Sequence, residues 1–192
     1  MKKAGTLLSL LMATTSFSTI SASYYQVNEE LSTVNFATIK KQYIVEPSVI
    51  TGVSGQVGDD GMLMIEIPLS SLDTGVSIRN DRLNDLFFNN KQFPNVEVSA
   101  KVPDEVMKEG DMVMQKMVPA SVKLYGQSMD VIFTVNIMKS GDHMMVSTVK
   151  PTVINGLDFG IPKESLEKVS NTVGDIAIST SVPVNFSLVL KK

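Results

Sequence analysis

Apolar and polar residues alternate through most of this chain, most cleanly near its end. Ile176, Ile178, Thr180, Val182, Val184, Phe186, Leu188 and Leu190 share one parity, and Ala177, Ser179, Ser181, Pro183, Asn185 and Ser187 the other. Successive side chains of a strand point to opposite faces, so the run predicts one long antiparallel strand with a dry and a wet side. Pro183 has no N–H to give to a ladder and predicts a bulge or an edge-like break. Leu63, Ile65, Ile67 and Leu69 alternate in the same way, as do Val96, Val98, Ala100 and Val102. Further strands are expected over 31–39, 49–57, 112–124, 129–138 and 144–154.

Turn-forming residues separate these runs: Gly55, Asp59-Asp60-Gly61, Glu109-Gly110-Asp111, Tyr125-Gly126-Gln127 and Ser140-Gly141-Asp142. The fold expected is mainly β, a single antiparallel barrel of roughly eight strands, a number that encloses a core or one small ligand. Two segments break the alternation. Residues 79–91 place Leu83, Leu86, Phe87 and Asn90 at helical spacing. Residues 162–169 read as a short helix, with Pro162 at its start, Glu164 early and Lys168 late.

Residues 1–23 have the pattern of an export signal. Lys2 and Lys3 precede a short apolar run from Leu7 to Ala13, and Ser21-Ala22-Ser23 offers a cleavage site before Tyr24. The run is much shorter than the roughly 20 residues that span a bilayer. With no Cys in the chain, a thiol-anchored lipoprotein is excluded, together with disulfides and thiolate chemistry. The expectation is a signal peptide over 1–23 and one domain over 24–192, periplasmic or secreted after processing, without a transmembrane segment. The formal charge of −3, more negative once the two leader lysines are gone, argues against nucleic acid.

Candidate chemistry is sparse. His143 is the only His, and no phosphate loop, zincin helix or dinucleotide fingerprint occurs. Asp59-Asp60 sits in a turn rather than a cleft, so no catalytic residue and no enzyme activity are expected. The 12 Met residues suit an adaptable apolar lining. Met112, Met114, Met138, Met144 and Met145 with His143 form a weaker alternative, a soft-metal binder, because thioethers and imidazole suit Cu(I).

The segment Ser71-Leu72-Asp73-Thr74-Gly75, followed by Arg79, Leu83, Phe88-Asn89 and Phe93-Pro94, is unusually dense for a connection. With Tyr25-Gln26-Val27-Asn28 and Ser32-Thr33-Val34-Asn35-Phe36, Gly52 and Gly55, Leu124-Tyr125-Gly126, and Asp158-Phe159-Gly160-Ile161, it resembles the YceI-like family of secreted bacterial proteins. Asn80 and Arg82 stand where members often carry Asp and His, and Lys40-Lys41 lies near the place of a family His. The resemblance implies a lipocalin-like barrel that binds or carries a polyisoprenoid or an isoprenoid quinone.

On that reading Phe36, Phe87, Phe88, Val131, Phe133, Val135, Val182, Val184, Phe186 and Leu188 are the candidate cavity lining. Asp73, Thr74, Arg79 and Arg82 are the candidate polar mouth, either meeting a ligand's head or ordering the local backbone. Phe87, Phe88 and Phe93 either gate a cavity or plug a core. No cofactor and no metal are expected beyond a bound isoprenoid lipid. The oligomeric state is left open, a homodimer included. A packed interior would instead make the chain a non-catalytic interaction or structural module.

Overall fold

A computed structural model describes residues 23–192. The expected export segment lies outside the described residues, apart from Ser23. Twelve strand segments form one sheet, and pairs of segments run end to end, so that they build eight walls. β1 (Ser23–Val27) and β2 (Thr33–Lys40) make the first wall, and β3 (Ile44–Ile50) with β4 (Ser54–Gly58) the second. β5 (Met62–Pro68) continues into β6 (Leu72–Asp73). Three uninterrupted strands follow: β7 (Asn95–Lys101), β8 (Met112–Leu124) and β9 (Gln127–Ser140). β10 (His143–Thr148) with β11 (Thr152–Asn155) makes the seventh wall, and β12 (Ser181–Lys191) the eighth. Each wall pairs antiparallel with the next, and β12 returns to the first, with Leu190 opposite Val27 and Phe186 opposite Val34. The barrel is therefore closed and has no free edge.

The breaks within walls have local causes. Between β1 and β2 the Asn28 side chain accepts the N–H groups of Glu30 and Leu31, both at 3.1 Å. The chain bulges away there, and the buried Ser32 hydroxyl accepts the Val189 N–H at 3.0 Å in place of a ladder bond. Ser32 thus keeps the seam satisfied, as a buried backbone donor requires.

Several expectations shift. Gly55 does not turn the chain but sits inside β4 at φ 146°, where a Cβ would fall 2.1 Å from the Met64 carbonyl oxygen. Only glycine lets the two strands approach so closely. Residues 44–48, not foreseen as strand, extend β3, and the last strand begins at Ser181 rather than Ile176. Pro183 is opposite Val153 of β11, and the ladder to β2 begins only at Val184, so Pro183 lies just past the end of that ladder. Glu109-Gly110-Asp111 closes no hairpin; it follows an unforeseen four-residue helix, α2 (Asp104–Met107).

The helical stretch near residue 80 is split. Helix α1 (Ser77–Arg82) runs into a wider π turn, Leu83–Phe87, in which the Phe88 N–H reaches the Leu83 carbonyl at 2.9 Å. The later helix, α3 (Lys163–Asn171), extends two residues beyond Val169. Among the described residues no helix is long and apolar enough to cross a membrane.

Candidate functional site: an apolar cavity with one sealed end

The strand parity read in the sequence sends Val34 and Phe36, Ile65 and Ile67, Val98 and Ala100, Ala120 and Val122, Phe133 and Val135, and Val182 to Leu190 into the barrel. They enclose a cavity of about 240 Å³. Inside it the rings of Phe133 and Phe186 meet edge to face, with centroids 5.4 Å apart. Ala100 and Ala120, paired across β7 and β8, bring only a methyl group each to the wall. Among the described residues, the polar ones on the wall are Thr38, Lys101, Ser179 and Thr180. The Lys101 amine turns away to the Asp60 carbonyl and leaves its alkyl stem at the wall.

One end is sealed. α2 lies across it, with Val106 fully buried and Val102 and Pro103 forming the cavity floor. Lys139 points inward from β9, is 3% exposed, and donates to the Val106 carbonyl at 2.9 Å and to the Lys108 carbonyl. Tyr24 donates to the Met107 carbonyl at 3.0 Å, and Lys192 pairs with Glu109 at 2.8 Å. The Lys192 hydrogen bond holds the Glu109 carboxyl below its ordinary pKa, and Glu109 in turn raises that of Lys192. Tyr25 is fully buried beside this cluster, its hydroxyl without a partner among the described residues, and desolvation pushes its phenol up.

The opposite end is covered by helices rather than by the sheet. Leu83, Phe87 and Phe88 from the α1 region and Leu166 from α3 line the cavity there, beside Ile178, Ser179 and Thr180. Phe87 and Phe88 stack edge to face at 4.9 Å. Phe87 rests on Gly156, where a Cβ would come within 3.1 Å of its ring, so that glycine seats the cover.

The polar residues near this end form two groups. The Thr74 hydroxyl donates to Asn80 Oδ1 at 2.6 Å and its N–H donates to the same oxygen at 2.9 Å, while Asn80 Nδ2 donates to Asp73 at 3.3 Å. The Asn80 amide both accepts and donates here, which an ionised carboxylate does not. The Gly75 N–H, then Asn80, holds the Asp73 carboxyl below its usual range. In the second group Glu46 sits 2.5 Å from Lys40 and 3.0 Å from Arg79. Lys40 and Glu46 share the parity of Phe36, Thr38 and Ile50, so this ion-paired group stands above the wall on its inner side.

Nine of the ten lining candidates lie on the cavity wall: Phe36, Phe87, Phe88, Phe133, Val135, Val182, Val184, Phe186 and Leu188. Val131 packs against the core cluster but does not reach the cavity. Asp73, Thr74, Arg79 and Arg82 are not on the wall. The first two tie the connection to itself, and Arg79 ties α1 to β3. Arg82 is half-buried and makes no ion pair among the described residues. Phe93 stacks on Tyr125, centroids 4.4 Å apart, outside the cavity. Lys40, Glu46 and Lys139 were not candidates; strand parity, read past the apolar residues, places all three on inner faces.

The methionines divide between the two sides of the wall. Met112, Met114 and Met144 share the inward parity, whereas Met138 and Met145 are exposed cross-strand partners. Among the described residues no group of three His, Cys, Asp or Glu side chains is placed to hold a metal.

The chain is a member of the YceI-like domain family, whose model matches residues 25–190. The fold is similar to that of a polyisoprenoid binding domain from Saccharophagus degradans implicated in plant cell wall breakdown. That likeness has 25% identity and a TM-score of 0.83, covering 88% of this chain and 99% of that one. BcnA of Burkholderia cenocepacia shares the fold at 18% identity and a TM-score of 0.63, covering 85% of this chain and 98% of that one. No curated protein matches the chain in sequence.

Proposed function

We propose that this protein binds an apolar lipid, a polyisoprenoid or an isoprenoid quinone, in the barrel and carries it outside the cytoplasm. The observation that carries the reading is a closed barrel whose interior is open space walled almost entirely by hydrocarbon. Each CH₂ moved from water into such a space contributes about 0.8 kcal/mol, so a long unbranched or methyl-branched chain gains with length. A sealed floor and a helix-covered mouth favour a ligand that enters tail first. The S. degradans relative, a polyisoprenoid binding domain, supports the same class of ligand. The leader pattern of residues 1–23 supports export. The role proposed is binding.

The test is to purify the protein from the native periplasmic or culture fraction, extract it with organic solvent and analyse the extract by mass spectrometry. A prenyl lipid in stoichiometric amount is the expected result. An empty extract, with no uptake of added polyprenol or quinone by the purified protein, would overturn the reading.

A further inference from the structure

The hairpin joining β2 and β3 projects at the mouth. Lys41 and Gln42 occupy its two central positions with φ of 49° and 69°, and the Tyr43 N–H closes the turn on the Lys40 carbonyl at 3.2 Å. Positive φ at both central positions is the two-residue turn that normally selects Asn-Gly. A cation and an amide occupy it here instead. The residues that follow are apolar yet open to solvent: Tyr43 is 78% exposed, Val45 59% and Ile44 38%. Val76 and Ile78, at 41% and 52% exposed, lie at the start of α1, which Arg79 fastens to Glu46 of the same hairpin.

This apolar tip is continuous with the cavity. Lys40 bridges to Ile178, the Ser179 N–H bonds to the Ile39 carbonyl at 2.8 Å, and Thr38, Ile178 and Ser179 are all wall residues. The root of the hairpin is therefore one lip of the mouth. Among the described residues, no ion pair or hydrogen bond engages the Lys41 amine. Aromatic and aliphatic side chains beside a free cation match the chemistry of a bilayer surface, where Tyr sits at headgroup depth and Lys meets anionic lipid.

We infer that the β2–β3 hairpin docks the barrel, mouth first, on an anionic lipid bilayer, with Tyr43, Ile44 and Val45 entering the interface and Lys41 held at the headgroups. The inference builds on the proposed lipid cargo: a mouth set against a membrane lets a hydrocarbon chain pass between bilayer and cavity without crossing water.

The experiment is vesicle flotation of the mature chain with phosphatidylethanolamine alone or mixed with phosphatidylglycerol, alongside mass spectrometry of the lipid each protein carries. Wild type is expected to float with the mixed vesicles, and less so at high salt because the Lys41 contribution is screened. The triple variant Tyr43→Ser, Ile44→Thr, Val45→Thr and the single variant Lys41→Glu are expected to partition about tenfold more weakly. Both should retain the wild-type lipid content. Val113→Ser, an exposed apolar site on the outer wall (76% exposed), should float as wild type does.

Wild type that fails to float, tip variants that float unchanged, or equal loss in Val113→Ser would overturn the docking. Self-association lost in the triple variant without vesicle binding would also overturn it and assign the tip to a contact between copies. Wild type that floats but holds no lipid would count against the cargo alone.

Discussion

Arg79 Nη2 lies 3.0 Å from Glu46 Oε1, and this pair spans the two parts of the mouth, the cover of α1 and the hairpin wall of β3. Glu46 also meets Lys40 at 2.5 Å, so one carboxylate holds two cations. Replacing Arg79 by Gln leaves a Lys40–Glu46 pair and is expected to cost about 1 kcal/mol. Glu46→Gln leaves two facing cations and should cost more. Thermal unfolding of both variants ranks them; equal costs would mean that the pair with Lys40 carries no weight. Faster release of a bound fluorescent polyene from Arg79→Gln is the accompanying kinetic expectation.

Filling the cavity separates open space from a packed core. Ala120 lies on the wall, 7% exposed and paired with Ala100. Ala120→Phe is expected to abolish lipid retention with little change in melting temperature, because its ring occupies space that is already open. In a fully packed interior the same substitution would cost about 1–3 kcal/mol through overpacking. Co-purified lipid and thermal stability, measured on one sample, distinguish the two.

Lys139 makes the floor a polar lock inside an apolar barrel. Its amine satisfies two carbonyls of the α2 segment. Lys139→Ala removes these charge-assisted bonds and opens a void, with an expected cost of about 3 kcal/mol. Lys139→Met keeps the volume and should cost less. Hydrogen exchange is expected to rise first in residues 103–109 in both; protection lost evenly around the barrel would contradict the local role.

Asp73 gives a pH signature. Its carboxyl titrates lower in the folded chain than in the unfolded one, chiefly because the Gly75 N–H bonds it. Stability from the ionised form is therefore complete above the ordinary Asp pKa of about 3.9. It is lost as pH falls through the lower folded value. Asp73→Asn should melt below wild type at neutral pH, with the gap closing on acidification. A gap that persists at the acid end would show that charge is not the cause.

The wall was legible in the sequence because period-2 alternation is its physical signature. Parity grouped the face from Val182 to Leu188 and the residues Phe133 and Val135, and the closed barrel turns that face inward. Strand merging was not legible, since it depends on devices such as the Ser32 hydroxyl standing in for a ladder bond. The hairpin at Lys41-Gln42 carries none of the Gly or Asn that marks such turns, which concealed the first five residues of β3. Lys139 was hidden by its chemistry. A Lys two positions after Ile137 has inward parity, but a buried amine makes sense only once the α2 carbonyls are known to wait above it. Val131 marks the opposite limit: parity gives the face and not the depth along the barrel.

The seam between the first and last walls has a consequence for how the molecule comes into being. Val27 and Leu190 stand opposite each other, so the ring cannot shut until β12 has emerged. Until then the first wall and whichever strand was laid down last both present unpaired N–H and C=O groups, the template on which chains aggregate. Contacts between strands so far apart in sequence also carry a loop-closure entropy and slow the search. A nascent or translocating chain would therefore spend its most vulnerable interval as an open, curling sheet. β12 works as the latch, and a chain that lacked its residues 184–187, which pair with β2, would stay in that unlatched state.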